Sequence, residues 1–356
     1  MAPITWQAFA KICQSLAILL SMPSSRPRRR ATITTVATEA GVAPSTVSRT
    51  FTNPGRVNHR TREHVLAVAR RLGYAPNPAA QALESGRTNT VALVVPDITN
   101  PYFAGVIKGA ERGAAEAGLT LVLGDTQENP ANEEQLVRRL GPAVDGFVLA
   151  ASRLPDETLV EVAALNRLVL VNRAAPGIAS VVADFDNGTE QIVAHLASHG
   201  HRSFVFLGGP AESWSGARRW GGLQVAAAAH QLEATRFGPY SPTIAAGPAA
   251  ADAVLAAGGT AIVAHNDMLA IGVLKRFAER GVVVPRDVSV VGFDDIFGSD
   301  FCQPPLTTLA ERTRDAGARA IEGLVRQVLQ PVSADAPVRV LPTQLVVRGS
   351  TGPVRV

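Results

Sequence analysis

From Thr90 onward, short apolar runs rich in β-branched residues alternate with longer stretches of helical periodicity. The runs are "TVALVVPD", "LTLVLGD", "VDGFVLA", "RLVLVN", "SVVAD", "SFVFLGG", "AIVAHND" and "VSVVGFDD". The spacing predicts helices over 102–117 and 132–140, with others between the later runs. A run apolar on every position must be covered on both faces. The alternation therefore implies parallel, doubly wound α/β sheets whose ligands sit at the carboxyl ends of the strands. The stretch holds 267 residues (356 − 89), long for one such sheet, so two lobes with a cleft between them are expected.

Residues 32–76 have a different texture and read as an all-α head of three short helices. Thr32 can cap the first, with Ile33, Val36, Ala37 and Ala40 facing inward. Gly41 permits the left-handed turn that ends it, and Pro44 suits the first position of the second. Asn58 can cap a third, from about His59 to Leu72. Helix, short glycine turn, helix is the helix-turn-helix layout, which small bundles also use. In the second helix, "GVAPSTVSRTF" carries small hydroxyl residues and one base along a side that a buried helix would make apolar. Such a side suits close approach to a phosphate backbone.

Charge separates the two parts. Residues 1–88 contain 12 basic and 3 acidic side chains, a net of +9, and the remainder carries 22 and 27, a net of −5. A basic head on a mildly acidic body implies a polyanionic partner for the head, with a solvated basic tail as the alternative. Cys13 and Cys302 show no metal or disulfide spacing, which implies a reducing compartment. No apolar run reaches the ~18 residues of a membrane span. Residues 1–31 are expected to be a disordered extension ahead of the fold. Met22 is the candidate start, "PSSRPRRR" follows it, and "SLAILLSM" leaves a secretion signal as the alternative.

Catalytic and metal motifs are missing from the sequence: there is no GxGxxG, GxxxxGK[ST], GxSxG or HExxH. "FLGGPAESWSGAR" is glycine-rich but lacks the lysine of a phosphate loop. His195, His199 and His201 fall at a helix end without ligand spacing. No cofactor, no metal and no catalytic set is expected. Polar residues do recur after strand ends: Asp97, Ser152, Asn172, Asn266, Asp267, Asp294 and Asp295. Amides and carboxylates there suit sugar hydroxyls, which donate and accept, and an arginine adds a rigid donor fork. Tyr102, Phe103, Trp214 and Trp220 are candidate aromatic faces, although each has a core or cap role as an equal reading.

These residues support a named resemblance. "TITTVATEAGVAPSTVSRTFTNPGRVNHRTREHVLAVARRLGYAPNPAAQAL" resembles the DNA-binding head of the lac repressor family of transcription regulators. "VALVVPDITNPYFAGVIKGAERGAAEAG", "VDGFVLAAS", "HGHRSFVFLGGP", "AHNDMLAIGVL" and "VPRDVSVVGFDDI" resemble its ligand-binding core, and the match spans about 32–350. The resemblance implies a sequence-specific regulator, a repressor, acting as a homodimer on a pseudo-palindromic duplex operator in the cytoplasm, on the nucleoid, with no membrane role. Its second helix would lie in the major groove, with Pro44, Ser45 and Arg49 at base edges and Thr46, Ser48, Asn53, Arg56 and Asn58 at phosphates. Thr32 belongs to the same DNA-binding set. Residues 77–88 would form a hinge whose Leu83 wedges between base steps. The core resembles periplasmic binding proteins, with the effector held by Asp97, Tyr102, Phe103, Ser152, Ser215, Arg219, Asn266 and Asp294. One lobe is expected from 89–173 plus 311–330, the other from 174–310 plus 331–350.

Arg219, Asn266 and Asp294 together favour a sugar effector over a nucleoside or purine. Ser213, where purine-binding relatives carry arginine, points the same way. Three departures from the family pattern bear on this. Ala43 replaces the usual serine cap. "FGPYSPTIAAGPAAADAV" is shorter than usual and offers no alignable pocket aromatic. No heptads follow Val347, so a dimer rather than a coiled-coil tetramer is expected. A secreted solute-binding protein, or an enzyme on this fold, are the rival classes.

Overall fold

The computed structural model describes residues 31–77, 86–329 and 336–354. They fall into two compact units, Met1–Gly86 and Arg87–Val356.

The first unit contains α1 (Ile33–Ala40), α2 (Pro44–Thr52), a 3-10 turn (Pro54–Arg56) and α3 (His59–Leu72). Thr32 and Thr35 cap α1 reciprocally, each hydroxyl accepting from the other's backbone N–H. Gly41 ends that helix at φ 63, a conformation that favours glycine. Val36, Ala37 and Ala40 meet Val47 of α2 and Val65, Val68 and Ala69 of α3 in one small core. The apolar spacing thus does what its period requires, one face in and the polar faces out. Of the segment 77–88 assigned to a hinge helix, residues 78–85, with Leu83, lie outside the described residues.

The second unit is built on two six-stranded sheets. The first lobe holds β1 (Thr90–Val95), α4 (Pro101–Glu116), β2 (Thr120–Asp125), α5 (Pro130–Leu140), β3 (Phe147–Ala150), α6 (Asp156–Leu165), β4 (Leu168–Val171) and β5 (Ala179–Ala183). The second follows with α7 (Phe185–Ser198), β6 (Ser203–Leu207), α8 (Trp214–Ala229), β7 (Glu233–Phe237), α9 (Gly247–Ala257), β8 (Ala261–Ala264), α10 (Asp267–Glu279), β9 (Ser289–Asp294) and β10 (Thr307–Ala310). The chain then returns through α11 (Thr313–Leu329) and β11 (Val338–Leu341) to the first lobe and ends through β12 (Gln344–Val346) in the second. The strand orders are β11-β5-β4-β3-β1-β2 and β12-β10-β9-β8-β6-β7. Every pairing is parallel except β10 with β12. The chain therefore passes between the lobes three times, at Asp184, at 311–312 and at 342–343.

Pairing corrects the lobe limits read from the sequence. β5 pairs with β4, and β11 pairs with β5, so the first lobe extends to about 183 and includes 336–341 rather than yielding them to the second. Parallel neighbours ordinarily need a long crossover, usually a helix. Here residues 172–178 return the chain to the next strand with no helix. Asn172 (φ 53) and Gly177 (φ 72) take left-handed conformations that make so short a return possible.

Two helix crossings bring backbones together. A methyl group on Gly109 of α4 would lie 1.9 Å from the Arg314 carbonyl, and one on Gly317 of α11 would lie 2.0 Å from that of Val106. In the second lobe, one on Gly247 would lie 2.1 Å from backbone carbon of Gly272. No helix among the described residues is long and apolar enough to cross a membrane.

Candidate functional site

In the head, Val47 and Thr50 turn inward, which leaves Pro44, Ser45 and Arg49 exposed. Ser45 and Arg49 are one helical turn apart and share a face. Thr46 and Ser48 are half-buried beside them, and their backbone carbonyls accept from the hydroxyls of Thr50 (2.9 Å) and Thr52 (3.1 Å). The helix contains no acid, and Ala43 supplies no side-chain cap. Asn53 ends α2, its N–H donating to the Arg49 carbonyl, and exposed Arg56 stands on the 3-10 turn. Two residues assigned to DNA also work locally: Thr32 caps α1, and Asn58 caps α3 by accepting from the N–H of Arg60 at 3.0 Å. Each remains exposed.

In the core, one cavity lies at the carboxyl ends of the strands between the lobes. The first lobe contributes Asn100, Tyr102, Phe103, Glu128, Ala151, Arg153 and Asn172, and the second Ser215, Arg219, Pro242, His265, Asn266 and Asp294. Six of the eight residues assigned to the effector meet here. Asp97 and Ser152 do not line it. The Asp97 carboxylate closes a turn ahead of α4, accepting from the Thr99 N–H (2.8 Å) and hydroxyl (2.6 Å). Ser152 is buried, accepting from the N–H of Leu154 and bonding to the Glu133 carboxyl. Trp214 is not on the wall, and Trp220 stacks on Phe206 in the second lobe's core with ring centres 5.7 Å apart.

Arg219 organises the cavity rather than standing free in it. Its guanidinium donates to the backbone carbonyl of His265, to Asp294 (2.9 Å) and to Glu311 (2.8 Å), and lies over the rings of Phe293 and Phe185. Asp294 and Arg219 are both almost fully buried. Burial, together with neighbouring Glu311, holds the Asp294 carboxyl well above the usual range, and pairing with Arg219 opposes that rise. One guanidinium shared by two carboxylates stays charged, and the carboxylates compete for it. Glu311 also accepts from the phenol of Tyr102 at 2.9 Å. Burial, followed by Glu311 and Asp294, raises the Tyr102 pKa well above 10, so it remains a donor. Glu311 sits on the crossing at 311–312 and ties Tyr102 of one lobe to Arg219 of the other.

Asn266 accepts from the Leu269 N–H as the cap of α10 and donates to the carbonyl of Pro242 at 3.1 Å. Across the cleft, Arg153 donates to Glu128 at 2.8 Å and is itself nearly buried. The wall thus holds both donors and acceptors in fixed positions. Sequence reasoning missed Glu128, Arg153, His265 and Glu311. Glu128 lies in a loop without periodicity, Arg153 and His265 stand beside Ser152 and Asn266, which drew the attention instead, and Glu311 follows a strand too short to stand out.

Two family models match the chain: the bacterial regulatory proteins of the lacI family over residues 32–77, and the periplasmic binding protein-like domain over 193–351. The transcriptional repressor CytR of Escherichia coli (strain K12) is 31% identical over 345 residues, covering 93% of this chain and 99% of that protein. Among solved structures, the lac repressor dimer bound to operator and the anti-inducer ONPF matches with a TM-score of 0.81 at 26% identity, over 91% of this chain and 100% of that one. The transcriptional regulator CelR in complex with cellobiose matches with a TM-score of 0.67 at 29% identity, over 90% and 100%. A basic helix-turn-helix head and a two-lobed core around a polar cleft, combined with these likenesses over more than nine-tenths of the chain, lead to one assignment: this protein belongs to the lacI family of transcriptional regulators.

Proposed function

We propose that the protein is a homodimeric, sequence-specific repressor whose grip on a duplex operator is set by a neutral sugar in the cleft. The observation that carries the reading is the convergence of Tyr102 and Phe103 from one lobe with Ser215, Arg219, Asn266 and Asp294 from the other on a single cavity. A wall of paired donors and acceptors matches hydroxyl groups, each of which needs both. Among the described residues, the second lobe's wall offers no Trp, Tyr or Phe to stack on a purine, its ring being the His265 imidazole, and Ser213 is spent capping α8. The likeness to a cellobiose-bound regulator supports the same ligand class.

Ligand binding across the cleft would favour one lobe arrangement, and the three crossings would pass that preference to the dimer and the head. Two-fold symmetry implies a pseudo-palindromic site. In the head, Arg49 forks onto a guanine, and Ser45 lies beside it on the same face.

Two measurements test the two halves of the reading. Arg49→Ala should lose about 1–3 kcal/mol of discrimination between operator and random duplex while binding the effector unchanged. Undiminished discrimination would remove α2 from the base edges. A thermal-shift panel of monosaccharides, disaccharides, sugar phosphates, nucleosides and purines tests the cleft. A ligand at 100 times its Kd adds about 2.7 kcal/mol, a shift readily seen. A response confined to nucleosides or purines would overturn the sugar assignment and leave the DNA-binding reading standing.

A further inference from the structure

His265 stands on the cleft wall with chemistry that the surrounding network does not use. The residue is 4% exposed and lines the cavity directly beside Asn266. Its backbone is committed: the N–H donates to the carbonyl of Leu207, and its own carbonyl accepts from Arg219. The ring is not. Nδ1 is sealed from solvent without a hydrogen-bond partner, and no described residue bonds to Nε2, the ring nitrogen left open. The sealed Nδ1 bears on the tautomer, because a buried unpaired polar atom costs free energy, and Nε2 is the ring nitrogen that a ligand in the cavity can reach.

The chain makes room for this ring. A side chain on Gly209 would begin 2.5–2.6 Å from three of the imidazole carbons, and one on Gly216 would begin 3.1 Å from one of the same three, Cε1. The imidazole thus lies across the loop after β6 and the first turn of α8, and glycine at both places lets it seat there. Burial, then Arg219, Arg153 and Arg236, hold its pKa well below the usual histidine range, so the ring is neutral. Of the two neutral tautomers, one leaves a buried N–H at Nδ1 pointing at nothing. The other leaves a lone pair in the field of three arginines, which costs less and puts the proton on Nε2.

We propose that His265 is a specificity-determining residue of the cleft, whose Nε2–H donates to a hydroxyl oxygen of the bound effector. The inference rests on the reading of the cleft as a site for a hydroxylated ligand, and it adds a residue and an atom to it.

The test begins with whichever member of the panel binds the wild type, measured by titration calorimetry together with its monodeoxy analogues. His265→Phe keeps a flat ring over Gly209 and removes both nitrogens. It should weaken the parent ligand at least 10-fold while leaving the melting temperature of the unliganded protein and its operator affinity unchanged. Wild type should discriminate against one deoxy analogue by a similar factor, and His265→Phe should not distinguish that analogue from the parent. His265→Asn, which keeps a neutral donor, should recover part of the loss. Gly209→Ala, which displaces the ring without altering it, should reproduce the selective loss.

Unchanged affinity in His265→Phe overturns the proposal. So does an equal loss for the parent and every analogue accompanied by a lower melting temperature, because that is the signature of packing alone. A nucleoside hit would overturn the sugar assignment while leaving His265 testable with deoxynucleosides. If no hydroxylated compound binds, both fall.

Discussion

The carboxyl of Asp267 is fully buried and has no salt-bridge partner among the described residues. It accepts from the Thr308 hydroxyl (2.6 Å) and the Ile296 N–H (3.0 Å), and Gly292 leaves the space for it. Burial pushes its pKa up to about 7 despite those two bonds. The folded protein therefore keeps this proton where the unfolded chain has lost it. The stabilising effect is full below about pH 4 and disappears as pH rises toward 7, on the order of a few kcal/mol in all. Asp267→Asn can accept from Ile296 and donate to Thr308, whose hydroxyl turns to receive it. Its melting temperature should gain on the wild type's between pH 5 and pH 8. A difference that stays constant across that range would show that Asp267 does not titrate there. The sequence marked Asp267 only as one of several polar residues after strands. Asp97 is held in its turn by Thr99, two positions on, whereas Asp267 and Asp294 are fixed by Thr308 and Arg219, 41 and 75 positions away. Spacing along the chain carries no trace of them.

At the scale of elements, strands buried on both faces were plain in the sequence because their apolar runs are uninterrupted. β7, β10, β11 and β12 were not. β7 is a polar edge strand, β11 and β12 are edge strands of three or four residues, and β10 is a short "TTLA" whose threonines resemble a loop. The glycine crossings were also hidden, since only the partner helix reveals why no side chain is tolerated. They give a prediction of opposite signs. Gly109→Ala drives a methyl group into a backbone carbonyl and should destabilise the core by about 1–3 kcal/mol or more. Gly221→Ala, on the open side of α8, should stabilise it by about 0.5–1 kcal/mol. Denaturant titrations of the two variants against wild type would decide; a Gly109→Ala variant as stable as wild type would contradict the close crossing of α4 and α11.

For the whole molecule, neither lobe is a continuous piece of chain. The first takes α11 and β11 from the far side of the second, and the second takes β12 from beyond the first. Unfolding one lobe therefore strips elements from the ends of the other. Calorimetry should show the core melting in one cooperative transition that a cleft ligand shifts as a unit. Two core transitions, only one of them moved by ligand, would refute that linkage. The same interleaving sets an order in time. The head's packed residues are complete by position 74, whereas the first sheet waits for β11, which ends at Leu341. Translation at about 5–20 residues per second separates these two events by some tens of seconds. During each synthesis, the nascent chain carries a finished DNA-binding head well before it has a cleft through which any small molecule can govern it.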